Sequence, residues 1–572
     1  MSEPGDRASK RRCSGEPTFS DHADGHGEGP NNVDLDLSLP PGSRSSARSH
    51  TSHARKPGDL EGAGTSMVDG RHGREGTQSH NPQQSFEESD ARKVPTCKKP
   101  MNSRVTPEES VEGRRAANGK PAPRNAPRAQ DRQGAPTCLE RVGQRAKQRK
   151  GERFETLLSH IKVPLLQEAY ARLNKNAATG VDGVTWRKYG ENLDARLRDL
   201  QDRVHRGSYH PQPVRRVHIP KGDGRTRPLG ITALEDKVVQ QAARMILEPI
   251  YEQEFLGFSY GFRPGRSQHK ALDALAVAIM RKASWVLDAD IRAFYDTIDH
   301  GWMQKFLEHK IADRRMVRLL MKWLHAGVME NGRLRVVEEG APQGAGISPL
   351  LSNIYLHYAL DLWAQQWRKR HARGEVYIVR YADDVVMGFQ VEQDARAMRA
   401  AAAERLATFG LELHSEKTRV IRFGRYARKD CRRDGRTRPE TFDFLGFTHI
   451  AGEAREGGFQ LQRRTSRKKR AAKLSMLREA MRTRMHDPPT AQHRWLCSVF
   501  RGHCNYYGVP TNSRALVSFR RSVEHAWHRQ LQRRSQRARW SIDELKRFEA
   551  RFPLPPPRIV HPWPTRRFYA GP

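Results

Sequence analysis

The chain has 572 residues, with 102 Lys and Arg against 65 Asp and Glu, a formal net charge of +37 and 36% hydrophobic residues. No run of 18 apolar residues occurs, which excludes a membrane-spanning helix, and six cysteines without a repeated spacing exclude a disulfide framework and a zinc site. Such a large positive excess predicts a polyanion as the partner and favours nucleic acid over an anionic membrane surface.

The first 148 residues predict a disordered, polar and basic N-terminal extension. Residues 1–140 contain only two aromatic residues, Phe19 and Phe86. Such a segment cannot bury enough apolar surface to offset the entropy that ordering costs. We therefore expect the folded protein to begin near residue 150. The N-terminus also lacks the apolar core of a secretory signal, which favours a reducing, cytoplasmic setting in association with nucleic acid.

The first half of the folded region predicts helices interleaved with short strands. Apolar residues at three- and four-residue steps predict helices over 154–205, interrupted by the loop AATGVDGVT. Residues 214–219 and the following TRPLGI predict two strands joined by a KGDG turn. From residue 235 an amphipathic helix is predicted to end around Pro249, before the Gly/Arg-rich loop SYGFRPGRSQHKAL.

The second half begins with WVLDADIRAFYDTIDH, which predicts a buried strand that turns into a helix or loop. Residues 375–389, EVYIVRYADDVVMGF, have the outline of a hairpin. Within residues 461–540 there are 20 Lys and Arg against 3 Asp and Glu, a net of +17, with tryptophans and tyrosines between them. This composition predicts a separate basic, all-α module, and a Pro-rich, extended tail follows from residue 553.

Three acids are candidates for two-metal chemistry. Nucleotidyl transfer of this kind uses a few carboxylates that bridge two divalent ions about 3.5–4 Å apart, and Mg²⁺ takes only one or two carboxylates beside phosphates and water. Asp383 and Asp384 lie at the predicted turn between two rigid, apolar strands. Asp290 ends another apolar run, where an unpaired acid is costly. Alone, the pair could be a turn dipeptide and Asp290 a helix cap, so the combination carries the prediction.

These motifs resemble the reverse transcriptases encoded by group II introns, which also serve as maturases. Between about residue 150 and about residue 565 the chain contains, in order, ATGVDGVT, IPKGDGRTRPLGI, SYGFRPGRSQHKAL, DADIRAFYDTIDH, APQGAGISPLLSNIYL, VRYADDVVMGF, LELHSEKTRV and FDFLGF. Their number and order are far more specific than YADD alone. RGHCNYYGV and the cationic helix near residue 530 also resemble the maturase region of that family.

The resemblance implies an α+β, right-hand polymerase. Fingers and a palm with an antiparallel sheet would occupy residues 149–455. An all-α basic thumb or maturase domain would occupy residues 456–550. Residues 551–572 would be a Pro-rich tail, with no endonuclease domain, so the protein is not expected to cut the second DNA strand.

The resemblance also implies site residues. Asp290, Asp383 and Asp384 would be the catalytic residues and the ligands of two Mg²⁺ ions. The nucleotide would contact Lys221 and Arg227 through its triphosphate, Tyr295 at the sugar 2′ position, and the loop of Pro342, Gln343 and Gly344. Lys417 would protonate pyrophosphate, and Leu445 and Gly446 would position the primer. Plainer readings are surface cations for Lys221 and Arg227, a core aromatic for Tyr295 and a helix-end cation for Lys417.

The expected function is that of an RNA-directed DNA polymerase that binds its group II intron RNA, assists splicing, and copies that RNA from a DNA target used as the primer. Deoxynucleoside triphosphates would be its substrates. Two alternatives stay open: an RNA-binding splicing maturase with a vestigial polymerase, and a reverse transcriptase of the retron or diversity-generating type. The sequence leaves the oligomeric state undefined.

Overall fold

The computed structural model describes residues 135–149, 151–220, 226–330, 333–335, 339–454, 456–534 and 540–564. The helices in these ranges are α1 (Ala135–Gln148), α2 (Val163–Arg172), α3 (Trp186–Gly190), α4 (Leu193–Arg206), α5 (Leu234–Tyr251), α6 (Gln268–Arg281), α7 (His300–Lys310), α8 (Arg314–Leu324), α9 (Ser348–Leu356), α10 (Leu362–Arg370), α11 (Glu392–Ala407), α12 (Ala427–Arg433), α13 (Arg467–Thr483), α14 (Pro489–Tyr507), α15 (Ser513–Gln532) and α16 (Ile542–Arg551). A π-helical turn, His357–Asp361, joins α9 to α10.

The strands in the same ranges are β1 (Val214–Pro220), β2 (Thr226–Ile231), β3 (Trp285–Asp290), β4 (Val328–Glu330), β5 (Arg333–Arg335), β6 (Val376–Tyr381), β7 (Asp384–Phe389), β8 (Arg419–Arg422), β9 (Thr441–Phe444), β10 (Phe447–Glu453) and β11 (Phe459–Thr465). They form three sheets with the orders β2-β1-β4-β5, β6-β7-β3-β8 and β11-β10-β9. The second sheet is antiparallel throughout, whereas β1 and β4 pair in parallel in the first. The expected mixture of helices with a largely antiparallel sheet is confirmed.

The β6-β7-β3-β8 sheet separates two apolar cores, because successive side chains of a strand point to opposite faces. Leu287, Val385 and Met387 enter the larger core. Val286, Val379 and Val386 enter a second core, which α6 and the β9-β10-β11 sheet complete. The sheet is therefore buried on both sides, and it forms a rigid support for the residues at the ends of its strands.

Helix α1 corrects the predicted N-terminal extension. Residues 135–148 were expected to be disordered, but they form a helix whose Val142 and Ala146 are buried. Gly143 lies against Pro249 of α5, where an added Cβ would be 3.2 Å from the proline Cβ. The apolar stripe is short within a polar, basic sequence, so composition alone concealed it. Residues 1–134 lie outside the described ranges.

Two further boundaries differ from the expectation. Helix α5 ends at Tyr251 and contains Pro249 in its last turn, so it runs two residues past the predicted end. The predicted start of the helical module at residue 456 falls in the β10–β11 connection, because β11 pairs along its whole length with β10. The helical module therefore begins with α13, and its own core includes Phe500, Phe519 and Trp527. In the described parts of the chain, no helix combines the length and apolarity needed to cross a bilayer.

Candidate active site

The Asp383-Asp384 motif lies where a two-residue turn joins β6 to β7, as predicted. Tyr381 pairs with Asp384 across this hairpin, and Asp384 pairs with Asp290 on β3. Residues that pair directly across antiparallel strands share a face. Asp290, Asp384 and Tyr381 therefore lie on one face of the sheet, at the same end. The first turn residue, Ala382, has a φ of 56°, a left-handed conformation that is uncommon without glycine.

The electrostatics show that the three acids share one local field. Burial raises the pKa of Asp383, and the charge of Asp290 raises it further. Asp384, the first residue of β7, is exposed to solvent on one side, and protein atoms surround the rest of its side chain. This desolvation, with the charges of Asp383 and Asp290, raises the pKa of Asp384 to about 6. Mutual repulsion of this kind favours a bound cation.

Asp290 is held by the segment that precedes β8. Its backbone N–H donates to Thr418 Oγ1 at 3.3 Å, and its carbonyl accepts from the backbone N–H of His414 at 2.8 Å. Its carboxylate Oδ2 accepts from Lys417 Nζ at 2.7 Å. Lys417 is in a turn rather than at a helix end, so the helix-end reading of this lysine is wrong.

The donor set suits a hard divalent cation, because it offers carboxylate oxygens on a rigid support. Across the described ranges, no group of three or more His, Cys, Asp or Glu side chains, the three acids included, is close enough together to hold a metal ion. Mg²⁺ takes only one or two carboxylates and completes its shell with water and substrate phosphates, so it does not need a third carboxylate. In this structure the Asp290 carboxylate forms an ion pair with Lys417.

Two of the residues expected to contact the nucleotide, Arg227 and Tyr295, interact electrostatically with Asp383 of the turn. Burial raises the pKa of Asp383 and of Tyr295, and the charge of Arg227 on β2 opposes both shifts, which places this charge near both groups. Tyr295 is half-buried in a short 3₁₀ turn, where burial raises its pKa, while a hydrogen bond with Ser352 lowers it. Lys221 lies outside the described residues, as does the rest of the predicted KGDG turn.

The loop of Pro342, Gln343 and Gly344 lies between strand β2 and the 3₁₀ turn that contains Tyr295. Its Gln343 carbonyl accepts from the N–H of Gly230 on β2 at 2.6 Å. Gly344 has a φ of 110°, and an added Cβ would lie 2.7 Å from the carbonyl oxygen of Gly230, so only glycine fits there. The adjacent Ala341 donates its N–H to the carbonyl of Tyr295 at 2.7 Å.

A cavity of about 270 Å³ lies beside this loop and is lined by Tyr295, Pro342 and Gln343 among others. Its described lining does not include the three acids. We therefore regard the strand ends, and not this cavity, as the centre of the chemistry.

Leu445 and Gly446, which were expected to position the primer, form a second two-residue turn, between β9 and β10. Leu445 and Gly446 have φ angles of 47° and 81°. The hydroxyl of Tyr506 donates to the carbonyl of Leu445 at 2.9 Å, and Gly446 lies against the Tyr507 hydroxyl. The RGHCNYYGV segment of α14 thus contacts this turn directly.

Three charged residues of the site were missed by the sequence analysis. Asp288 lies two residues before Asp290, hence on the same face, and burial raises its pKa to about 7. Strand alternation could have revealed it. Arg380 is a charged residue inside the apolar strand β6, a pattern that requires a buried partner. The charge of Lys469 on α13 opposes the burial that raises the pKa of Asp384, an interaction across the fold that no local pattern signals.

Comparisons with known proteins identify the same family as the sequence motifs. The family described as "Reverse transcriptase (RNA-dependent DNA polymerase)" matches residues 219–449. Protein YkfC of Escherichia coli is 35% identical over 308 residues, which cover 47% of this chain and 80% of that protein. Group II intron-encoded protein LtrA of Lactococcus lactis is 36% identical over 237 residues, 41% of this chain and 39% of that protein.

A more distant relative is the putative COX1/OXI3 intron 1 protein of Saccharomyces cerevisiae, which is 28% identical over 317 residues, 46% of this chain and 37% of that protein. The chain thus spans most of YkfC but well under half of the two intron proteins. The match to YkfC, the family match and the motif order agree on one assignment. The chain belongs to the reverse transcriptase family, within its group II intron-encoded branch.

Proposed function

We propose that the chain is an RNA-directed DNA polymerase that also acts as a maturase on a group II intron RNA, assisting splicing and retrohoming by target-primed reverse transcription. The observation that carries this proposal is that Asp290 and Asp384 lie at one end of the same sheet face, with Asp383 in the adjoining turn and within the same electrostatic field. Residues 149–455 would form the fingers and palm, and the helices from α13 onward the thumb or maturase domain.

Asp290, Asp383 and Asp384 would hold two Mg²⁺ ions. When bound, these would polarise the α-phosphate and stabilise the charge on the attacking and leaving oxygens. The primer 3′-hydroxyl would lose its proton to water as its oxygen forms a bond to the α-phosphorus of the deoxynucleotide, and the bond from that phosphorus to the pyrophosphate oxygen would break. The chain's own residues would orient this reaction and exclude competing substrates.

Arg227, with Lys221, would bind the triphosphate, because a guanidinium grips phosphate oxygens in pairs and an ammonium adds a point charge. Tyr295 would stand against the sugar 2′ position, while Gln343 and Gly344 would line the nucleotide pocket. Lys417 Nζ would deliver its proton to the departing pyrophosphate, after release from Asp290, to which it donates in this structure.

The cationic helical module would bind the intron RNA. Its aromatic side chains suit splayed bases, and its charge suits the phosphate backbone. In this proposal, the same chain holds the RNA for splicing and later copies it from a DNA primer. The substrates and partners in this proposal rest on the chemistry of the site and of the cationic helical module.

Primer extension on poly(rA)/oligo(dT) with Mg²⁺ tests the polymerase. Asp383→Asn should lower the incorporation rate by at least about 100-fold, the scale of removing one preorganised charged group. Asp434→Asn is the matched control, because Asp434 lies in the turn that follows α12 and has no proposed role. A wild-type protein that binds and splices intron RNA but extends no primer would establish the alternative, a maturase with a vestigial polymerase.

A further inference from the structure

Arg380 is a fully buried cation in strand β6, directly behind the Asp383-Asp384 turn. Its side chain has no exposed area, and that of Asp361 is 1% exposed. Arg380 Nε donates to Asp361 Oδ1 at 2.7 Å, and Nη2 donates to Asp361 Oδ2 at 2.5 Å. Nη2 also donates to Ser259 Oγ at 2.8 Å. Nη1 donates to Asn353 Oδ1 at 3.0 Å and to the Ala382 carbonyl at 2.9 Å.

These contacts use all five N–H donors of the guanidinium, the full complement of this side chain. One of the five acceptors, the Ala382 carbonyl, belongs to the turn itself. This carbonyl is part of the peptide group that continues into Asp383, so its direction sets where the Asp383 side chain begins. Ala382 is also held at a φ of 56°, which requires the surroundings to determine the conformation.

The same guanidinium joins the turn to three other segments. Asp361 ends the π-helical turn between α9 and α10, a type of irregularity that is frequent at functional sites. Asn353 of α9 donates in turn to the carbonyl of Gly261 at 2.7 Å. The backbone of Arg380 pairs with the segment before Gly261, through the carbonyl of Phe258 and the N–H of Tyr260. Gly261 is packed so closely on the turn that an added Cβ would lie 2.2 Å from the Ala382 nitrogen.

A buried ion pair can serve folding alone, and the molecule contains such a comparison. Arg463 Nη1 donates to Asp273 at 2.8 Å, with side chains that are 3% and 2% exposed, and joins β11 to α6. The Arg380–Asp361 pair resembles it in chemistry and burial, but its arginine also donates to the Ala382 carbonyl in the catalytic turn. This difference separates a role in stability from a role in the reaction.

We propose that Arg380 is a positioning residue, which holds the Asp383-Asp384 turn in its reactive geometry through the Ala382 carbonyl, with Asp361 as its counter-ion. The inference rests on the proposed polymerase function. Lysine keeps the charge at this position but lacks the planar fork, so it cannot reach all four partners at once. Misplacement of the turn by about 1 Å would slow incorporation about 100-fold without a comparable effect on substrate binding.

The test compares Arg380→Lys and Ser259→Ala with the control Asp273→Asn in the full-length chain. Single-nucleotide incorporation on an RNA template with a DNA primer gives kcat and the KM for the nucleotide, and fluorescence anisotropy gives the primer–template Kd. Hydrogen exchange of the β6–β7 hairpin amides gives a readout that does not depend on activity. All rates are measured at a temperature at which thermal unfolding shows each variant to be folded.

Arg380→Lys should lower kcat about 100-fold, leave the nucleotide KM and primer–template Kd within about threefold, and speed exchange at the turn amides. Ser259→Ala, which removes one of the five bonds and keeps the ion pair, should change kcat and exchange in the same direction by a smaller factor. Asp273→Asn should lower the melting temperature with kcat and hairpin exchange unchanged.

Equal kcat losses in Arg380→Lys and Asp273→Asn, or hairpin exchange that does not differ from wild type in Arg380→Lys, would overturn the proposal. If Arg380→Lys does not fold, the Ser259→Ala comparison decides by the same criteria. A wild-type chain without incorporation would remove the proposed polymerase, whereas the exchange comparison would still show whether Arg380 holds the turn.

Discussion

Within the described ranges, two hairpin turns place a non-glycine residue at a positive φ angle, and different parts of the chain hold them. The Ala382-Asp383 turn is held from within its own core, by the buried guanidinium of Arg380. The Leu445-Gly446 turn is held from outside, by Tyr506 and Tyr507 of helix α14. The first turn should therefore keep its geometry independently of the helical module, whereas the second should depend on how that module docks.

We expect the largest loss of incorporation rate from a variant that crowds the first turn. In Gly261→Ala the new Cβ would meet the backbone nitrogen of Ala382 at 2.2 Å, so the turn must shift. We expect a loss of about 100-fold in incorporation rate and of about 1–3 kcal/mol in the free energy of unfolding. Primer extension and urea unfolding measure the two quantities.

Gly502→Ala is the matched control for that change, because nothing lies within 4 Å of the added Cβ in the middle of α14. It should stabilise the protein by about 0.5–1 kcal/mol through helix propensity and leave the rate unchanged. A Gly261→Ala variant that extends primers at the wild-type rate would show that the first turn tolerates displacement.

Acid should destabilise the β9–β10 hairpin, which contains the second turn, because His449 of β10 is buried in its neutral form. Burial, with a smaller contribution from the charge of Arg463, lowers the pKa of this histidine to about 3, and its ring stacks on Phe442. Below an unfolded pKa of about 6.5 the unfolded chain binds the extra proton and the folded chain does not. Stability is therefore lost as pH falls from about 6.5 towards 3, by about 2 kcal/mol at pH 5.

Urea unfolding midpoints between pH 7 and pH 5 measure this effect. The variant His449→Phe keeps an aromatic ring on Phe442 and has no proton to bind, so its midpoint should fall less steeply with pH than that of the wild type. Other buried histidines, such as His357 behind the first turn, contribute equally to both proteins and cancel in the difference. Parallel slopes for the two proteins would contradict the assignment to His449.

Removal of the Tyr506 hydroxyl tests whether the second turn depends on helix α14. Tyr506→Phe deletes the hydrogen bond to the Leu445 carbonyl, which is worth about 1 kcal/mol. If that turn positions the primer, the KM for primer–template should rise about fivefold while kcat stays constant. Tyr426→Phe, at an exposed tyrosine, serves as the control and should change neither constant. A fall in kcat with an unchanged KM would assign Tyr506 to the first turn instead.

The smallest effect on stability is expected at Lys417, which lies near the first turn but at the surface. Its side chain is 53% exposed, so solvent screens its ion pair with Asp290. Lys417→Gln should change the free energy of unfolding by less than about 0.5 kcal/mol in urea titrations. A substantial loss of incorporation rate in the same variant would then belong to the chemistry and not to folding. A stability loss above 1 kcal/mol would show that the pair supports the fold.

Much of the site could be predicted from local pattern. Alternating and continuous apolar runs indicated the strands β3, β6 and β7, and the placement of acids at their ends indicated the site, because both features depend on neighbours in the chain. Composition predicted a disordered extension that is too long, because the two buried residues of α1, Val142 and Ala146, do not alter a polar composition. The start of the helical module was misplaced because β11 is as basic as the helices that follow it.

The sequence by itself determined the strands, the turn and the identity of the acids, since side-chain period and turn chemistry are local properties. Only the tertiary structure decided which partners hold them. Arg380 meets residues 19, 27 and 121 positions away, and Asp290 meets a lysine 127 positions away. The partner of a buried charge depends on which segments pack together in three dimensions, and that packing is a property of the whole chain.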